Sequence, residues 1–353
     1  MERRGTKNVI KKVQKKDLAH VMSCRKNLLR YNNKKDLETK NGYAIYKWCR
    51  NYLETDDFSV HKFWVVKHDK GKYKRGQKIM NKAEQQKFIK SGGETREIKC
   101  HGELTRLHMR ELIEPLDLTM PNRHGFKRNR DIFTLMEKAS QRAELGNRFK
   151  GTVVSLDMKD AFEQVTKDQV YLIFKKIFDL NHKDSQKLSE ICTVNGHLFQ
   201  GCTISPLIFN IWFSRVFERI ETMRNDNFEL YTYADDITII IDYSSLSWKF
   251  LKFLVKVIEQ CGFKINKRKT KVRNAQHMEV CGLQWKTNPL GEWKIYPRGT
   301  KKLKSKIRMW RYLIQKGITT SKRLNKNSEA IMTAEILKGL ENWYSRSTSF
   351  QPL

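Results

Sequence analysis

The sequence predicts an α+β protein. Three observations carry that reading: short β-branched apolar runs that end on carboxylates, apolar stripes at helical spacing between them, and an order of strand, helix, helix, hairpin, helix, strand with no internal repeat. The 353 residues are 39% hydrophobic and 11% aromatic, enough to bury a sizeable core. Lys and Arg number 70 against 38 Asp and Glu, and a net charge of +32 points to a polyanionic partner. No run approaches the ~18 apolar residues of a spanning helix. The basic start, MERRGTKNVIKKVQKKD, has no apolar stretch behind it, so no membrane association is expected and a cytoplasmic location is. Seven cysteines, widely spread and never spaced C-x2-C, predict neither a disulfide framework nor a zinc site.

In chain order, the first 35 residues hold twelve Lys/Arg and two acids, with a partial helical stripe of Leu18, Val21, Met22, Leu28 and Leu29. Residues 1–60 therefore read as a basic helical arm, or as a solvated surface helix. His61–Val66 and Thr95–Cys100 alternate with period two and predict a hairpin-rich segment. Leu104, Leu107, Leu112 and Ile113 predict a helix from Glu103 to Leu116, stopped near Pro115, and another helix covers Ile132–Glu144. Gly151–Asp157 is a buried strand, followed by helices over Gln169–Leu180 and Pro206–Ile220. LYTYADDITIIID reads as a hairpin, Leu251–Cys261 as a helix and Met278–Trp285 as a single strand.

Asp235 and Asp236 sit at the hairpin tip between apolar arms, and Asp157 ends the strand VVSLD. Each alone could be a turn or cap residue. If the strands lie side by side, three carboxylates meet at one sheet edge, a hard-oxygen set suited to Mg²⁺. Two such ions would activate an attacking hydroxyl and stabilise a leaving pyrophosphate.

Read in order, SLDMKDAF (155–162), QGCTISP (200–206), TYADD (232–236), GFKINKRKTK (262–271) and VCGLQW (280–285) resemble palm motifs A to E of reverse transcriptases. KSGGETREI (90–98) and HGFKRNRDI (124–132) resemble finger motifs of the bacterial branch that includes retron, group II intron and defence-associated enzymes. The resemblance implies a right-hand polymerase with an antiparallel palm sheet packed on helices. Its fingers would span 61–150, its palm 151–290 and a helical thumb 291–353. It implies that Asp157, Asp235 and Asp236 are catalytic and hold two Mg²⁺, with Mn²⁺ as a substitute. Phe162 matches the bulky residue under the incoming sugar, where a ring excludes a 2′-hydroxyl; apart from the motif it reads as a core Phe. Gln200 and Gly201 match the contacts to the nascent base pair. Arg96 matches the finger arginine on the triphosphate, with Lys90 as its partner or as a solvated hairpin tip. Lys269 matches the lysine that protonates pyrophosphate.

From Lys294 to Asn327 there are twelve Lys/Arg and no acid, and Leu303, Ile307 and Trp310 recur at helical spacing. The opposite face, with Lys301, Lys302, Lys304, Lys306, Arg308 and Arg311, fits a helix lying on nucleic acid; a membrane-surface helix is the other reading. A final helix is expected at Glu329–Tyr344. The implied function is RNA-directed DNA polymerisation with dNTPs and a DNA product, on a dedicated non-coding RNA, in antiphage defence. An effector protein or a second copy of the chain is an open partner. The alternatives are a catalytically idle RNA-binding protein on a polymerase scaffold, and an RNA-templated RNA polymerase.

Overall fold

The computed structural model describes residues 15–68, 78–79, 81–120, 122–125, 129–145, 151–221, 228–241, 248–274, 277–280, 282–287, 293–297, 299–315 and 337–346. Along the chain the strands are β1 (Val60–His68), β2 (Lys78–Ile79), β3 (Glu94–His101), β4 (Thr152–Asp157), β5 (Thr193–Val194), β6 (His197–Leu198), β7 (Phe228–Tyr233), β8 (Asp236–Ile241), β9 (Lys271–Asn274), β10 (His277–Val280), β11 (Leu283–Thr287) and β12 (Trp293–Pro297). The chain divides into two units. One comprises Met1–Pro121, Lys159–Met223 and Phe253–Lys264; the other comprises Asn122–Met158, Arg224–Lys252 and Ile265–Leu353.

The first unit is built round the helix Ser205–Glu221, whose Ile208, Phe209, Ile211, Trp212, Phe213 and Val216 have no exposed surface. Residues 207–218 are all buried, Asn210, Ser214, Arg215 and Glu218 included, so the helix is covered on every side. The basic N-terminal segment supplies one cover, and here the structure departs from an arm or a solvated helix. Helix Lys15–Leu29 buries Val21, Cys24 and Leu28 completely. Asn27 Nδ2 donates to Ser214 O at 3.1 Å and Ser23 Oγ donates to Glu218. Period three to four, weak among so many lysines, was the signal for a packed face. Residues 1–14 of that segment lie outside the described residues.

In the same unit β1 pairs antiparallel with β2 and β3, as the alternation predicts. Between them stands a helix the alternation hides, Lys82–Lys90, opened by a capping box in which Glu84 N donates to Asn81 and Asn81 N to Glu84. Helix Glu103–Glu111 forms as expected but presents another face. Thr105 and Met109 are buried, while Leu104 and Leu107 are 63% and 48% exposed. Polar bonds set its rotation: Thr105 Oγ1 donates to Asp57 O, Trp48 Nε1 donates to His108 O, and His108 Nδ1 bonds Asp56.

The second unit carries a four-stranded sheet in the order β7-β8-β4-β9, antiparallel throughout. Helix Ile132–Leu145 contributes Phe133, Leu135, Met136 and Ala139 to a core shared with Val153, Tyr231, Ile240, Val280, Leu283 and Ile295. The expected strand Met278–Trp285 is instead two strands. β10 and β11 pair antiparallel, Val280 opposite Leu283, and β12 completes the sheet. The reversal needs a residue at positive φ, and Gly282 supplies it at 89°; Cys281 lies outside the described residues. Helix Thr300–Gln315 follows, and 337–346 is helical, so the expected last helix is described from 337 onward. Among the described residues no helix is long and apolar enough to cross a membrane.

Candidate active site

Strand β4 buries Val153, Val154 and Leu156, and β8 buries Ile237 to Ile241, so both run as β-branched strands between covered faces. Their register places Asp157 directly opposite Asp236. Tyr233 faces Asp236 across the β7/β8 hairpin, leaving Ala234 and Asp235 as a two-residue turn with Ala234 at φ 55°. All three predicted carboxylates therefore stand at one end of one sheet. Asp235 is half-buried, and its carboxyl is raised above the usual range by burial first, then by the charges of Asp236 and Asp157; Lys269 opposes the shift.

Residues 265–270 cross the end of β4. Met158 and Ile265 form an antiparallel bridge, and Asn266 N donates to Asp157 O at 2.8 Å. Lys269 N then donates to Asn266 O, closing a turn that aims the Lys269 side chain at Asp157. Its Nζ lies 2.9 Å from both carboxylate oxygens.

A support absent from the residue-by-residue reading lies at 122–125. His124 N donates to Thr232 O, Thr232 N donates to Asn122 O, and Arg123 bridges Thr232 in parallel, so this segment runs alongside the end of β7. Gly125 packs on the turn itself: a Cβ there would overlap the Ala234 backbone nitrogen. The signal was the HG of the 124–132 block, a glycine where backbone meets backbone. Phe126 of that block lies outside the described residues.

Arg96, Lys90, Gln200, Gly201 and Phe162 sit in the first unit. Arg96 is exposed on β3, opposite Val65. Lys90 is the exposed last residue of its helix, before a turn with Gly92 at φ 83°. Gln200 and Gly201 lie against β3, where Lys99 N donates to Gln200 O. Gly201 has φ 114° and no room for a Cβ against Lys99 O. They precede the helix from Ser205 by a turn. Phe162 is half-buried, its ring 5.5 Å edge-on from that of Phe209.

Helix Thr300–Gln315 turns Ile307 inward and half-buries Leu303 and Trp310, leaving Lys301, Lys302, Lys306 and Arg308 exposed. Two of the predicted contacts are engaged within the unit. Lys304 Nζ stands 5.5 Å over the Tyr344 ring, and Arg311 is paired with Glu341 at 2.7 Å.

Among the described residues no three His, Cys, Asp or Glu side chains already surround an ion position. That donor set still suits Mg²⁺, which takes one or two carboxylates and completes its shell with water and substrate phosphates.

A family model described as reverse transcriptase (RNA-dependent DNA polymerase) matches residues 90–291. The retron Ec86 reverse transcriptase of Escherichia coli is 27% identical over 163 residues, 46% of this chain and 48% of that protein. The retron Se72 reverse transcriptase of Salmonella heidelberg (strain 579083-10) is 26% identical over 173 residues, 47% of this chain and 44% of that protein. The chain spans about half the length of the curated relatives it matches. A solved structure of telomerase from Candida albicans in complex with a TWJ fragment of telomeric RNA aligns with a TM-score of 0.46 at 12% identity, over 80% of this chain and 62% of that one.

Proposed function

The chain belongs to the reverse transcriptase (RNA-dependent DNA polymerase) family, and from that premise we propose that it copies RNA into DNA, joining dNTPs to a growing strand by two-metal nucleotidyl transfer. The observation that carries the reading is the register of Asp157 opposite Asp236 with Asp235 in the adjoining turn. Asp157 and Asp235 hold the divalent ions in this proposal, and Asp236 supports them. Bound there, Mg²⁺, or Mn²⁺ in its place, supplies activation of the primer hydroxyl and charge neutralisation on the leaving pyrophosphate.

We assign the triphosphate to Arg96 with Lys90, the nascent pair to Gln200 and Gly201, the sugar to Phe162, and the duplex backbone to the exposed face of Thr300–Gln315. By the resemblance to retron enzymes the template is a dedicated structured RNA and the setting antiphage defence.

The test is primer extension on an RNA template with Mg²⁺ and either dNTPs or NTPs. Wild type extends with dNTPs, and Asp235→Ala loses roughly a thousandfold or more of that rate. A wild type that binds RNA but extends nothing would establish the idle RNA-binding protein instead. Extension by NTPs alone would establish an RNA polymerase.

A further inference from the structure

We propose that Lys269 is a built-in counter-cation for Asp157 that exchanges with a divalent ion, so that metal loading and release of the lysine ammonium are one coupled step. The inference rests on the reading of Asp157 as a metal ligand. Nζ contacts both oxygens of the carboxylate at 2.9 Å, the same lone pairs an ion needs. Nζ stands where it reaches both oxygens, the side from which a chelating ion approaches, and repulsion between two cations at that distance drives the ammonium out as the ion arrives.

The surroundings fit an exchange rather than a permanent strut. Three carboxylates gathered at one sheet end repel one another, and a cation standing among them offsets that repulsion. The turn bearing Lys269 is fixed independently of its side chain, through Asn266 N on Asp157 O and Lys269 N on Asn266 O. The backbone can therefore stay while the side chain swings. The side chain is 59% exposed whereas that of Asp157 is 20% exposed. A flexible four-carbon stem ending in a point charge is suited to leaving for solvent or for an incoming phosphate. Lys267, two positions away on the same turn, is exposed and provides the control for bulk charge.

The decisive measurement is Mn²⁺ binding to the full chain without nucleic acid, read by electron paramagnetic resonance at fixed ionic strength. Lys269→Met is expected to bind Mn²⁺ roughly tenfold more tightly than wild type, with Lys267→Met and Lys269→Arg within about twofold. Equal affinity in Lys269→Met and wild type, with binding lost in Asp157→Asn, would overturn the exchange and leave the metal site standing. Tightening of equal size in Lys267→Met would overturn it too, as a bulk-charge effect. No binding in any variant would remove the metal reading and the exchange with it. A second readout needs no substitution: acetylation of the Lys269 amine in wild type, followed by mass spectrometry, is expected to rise severalfold on adding Mg²⁺ while that of Lys267 stays constant. Unchanged Lys269 labelling would overturn the proposal.

Discussion

Gly125 presses against the backbone nitrogen of Ala234 so closely that no side chain fits between them. The contact holds the turn that carries Asp235, and Ala234 is itself in the left-handed region at φ 55°. Gly125→Ala is expected to displace that turn, cutting primer extension about a hundredfold while costing about 1–3 kcal/mol of stability. Gly339→Ala, on an open helical face, should instead stabilise by about 0.5–1 kcal/mol and leave extension unchanged. Extension assays and denaturant melts on both variants check this.

His124 predicts a pH dependence of stability. The Thr134 hydroxyl gives its proton to Asp131 O, so it accepts from His124 Nδ1, 2.8 Å away. Burial, then the charges of Arg130 and Lys138, push the imidazole down to about 3. The folded value lies below the unfolded one, so the contribution is complete above about pH 6.5 and is lost as the pH falls, at about 1.4 kcal/mol per unit. His20, pushed down to about 4 chiefly by burial, acts in the same direction. Urea melts from pH 7 to pH 5 should show falling stability, and His124→Gln should flatten that slope by about one proton. An unchanged slope would mean that the native imidazole is charged.

The ring of Phe162 sets a prediction about sugars. It is partly exposed and rests edge-on against Phe209. Phe162→Val is expected to raise ribonucleotide use relative to deoxynucleotide use by roughly 10–100-fold, the range that one small steric change gives. A loss of stability without any change in sugar preference would make Phe162 a packing residue.

All six predicted cations of helix Thr300–Gln315 are exposed, and two of them, Lys304 and Arg311, are also engaged within the unit. Replacing Lys301, Lys302, Lys306 and Arg308 with Gln should reduce the slope of log K against log salt for an RNA–DNA duplex by roughly three. Lys304→Gln and Arg311→Gln together should change it less, because Lys304 lies over Tyr344 and Arg311 is tied to Glu341. Filter binding at several salt concentrations separates the two sets.

The sheet and its acids were legible because burial on both faces leaves an unbroken β-branched run, and VVSL and ITIII are such runs. Asp157 opposite Asp236 required the pairing register, which a strand pattern alone does not contain. The Met278–Trp285 run was read as one strand although its apolar alternation changes phase after Val280, the trace of a turn that the positive φ of Gly282 completes. Leu104 and Leu107 misled because side-chain bonds to Asp56 and Asp57, invisible to an apolar stripe, set the helix rotation. The bond of Lys269 to Asp157 was illegible for a related reason. In a segment with so many lysines only the geometry of the turn singles one out.

The strand order has a consequence for how the chain is made. β4 lies between β8 and β9, both translated long after it, so its hydrogen-bonding edges stay bare while the intervening chain emerges from the ribosome. Such distant pairing is slow to close. A product released before Asp236 would carry TVVSLD with neither neighbour, and that bare ribbon is where truncated copies would adhere to one another.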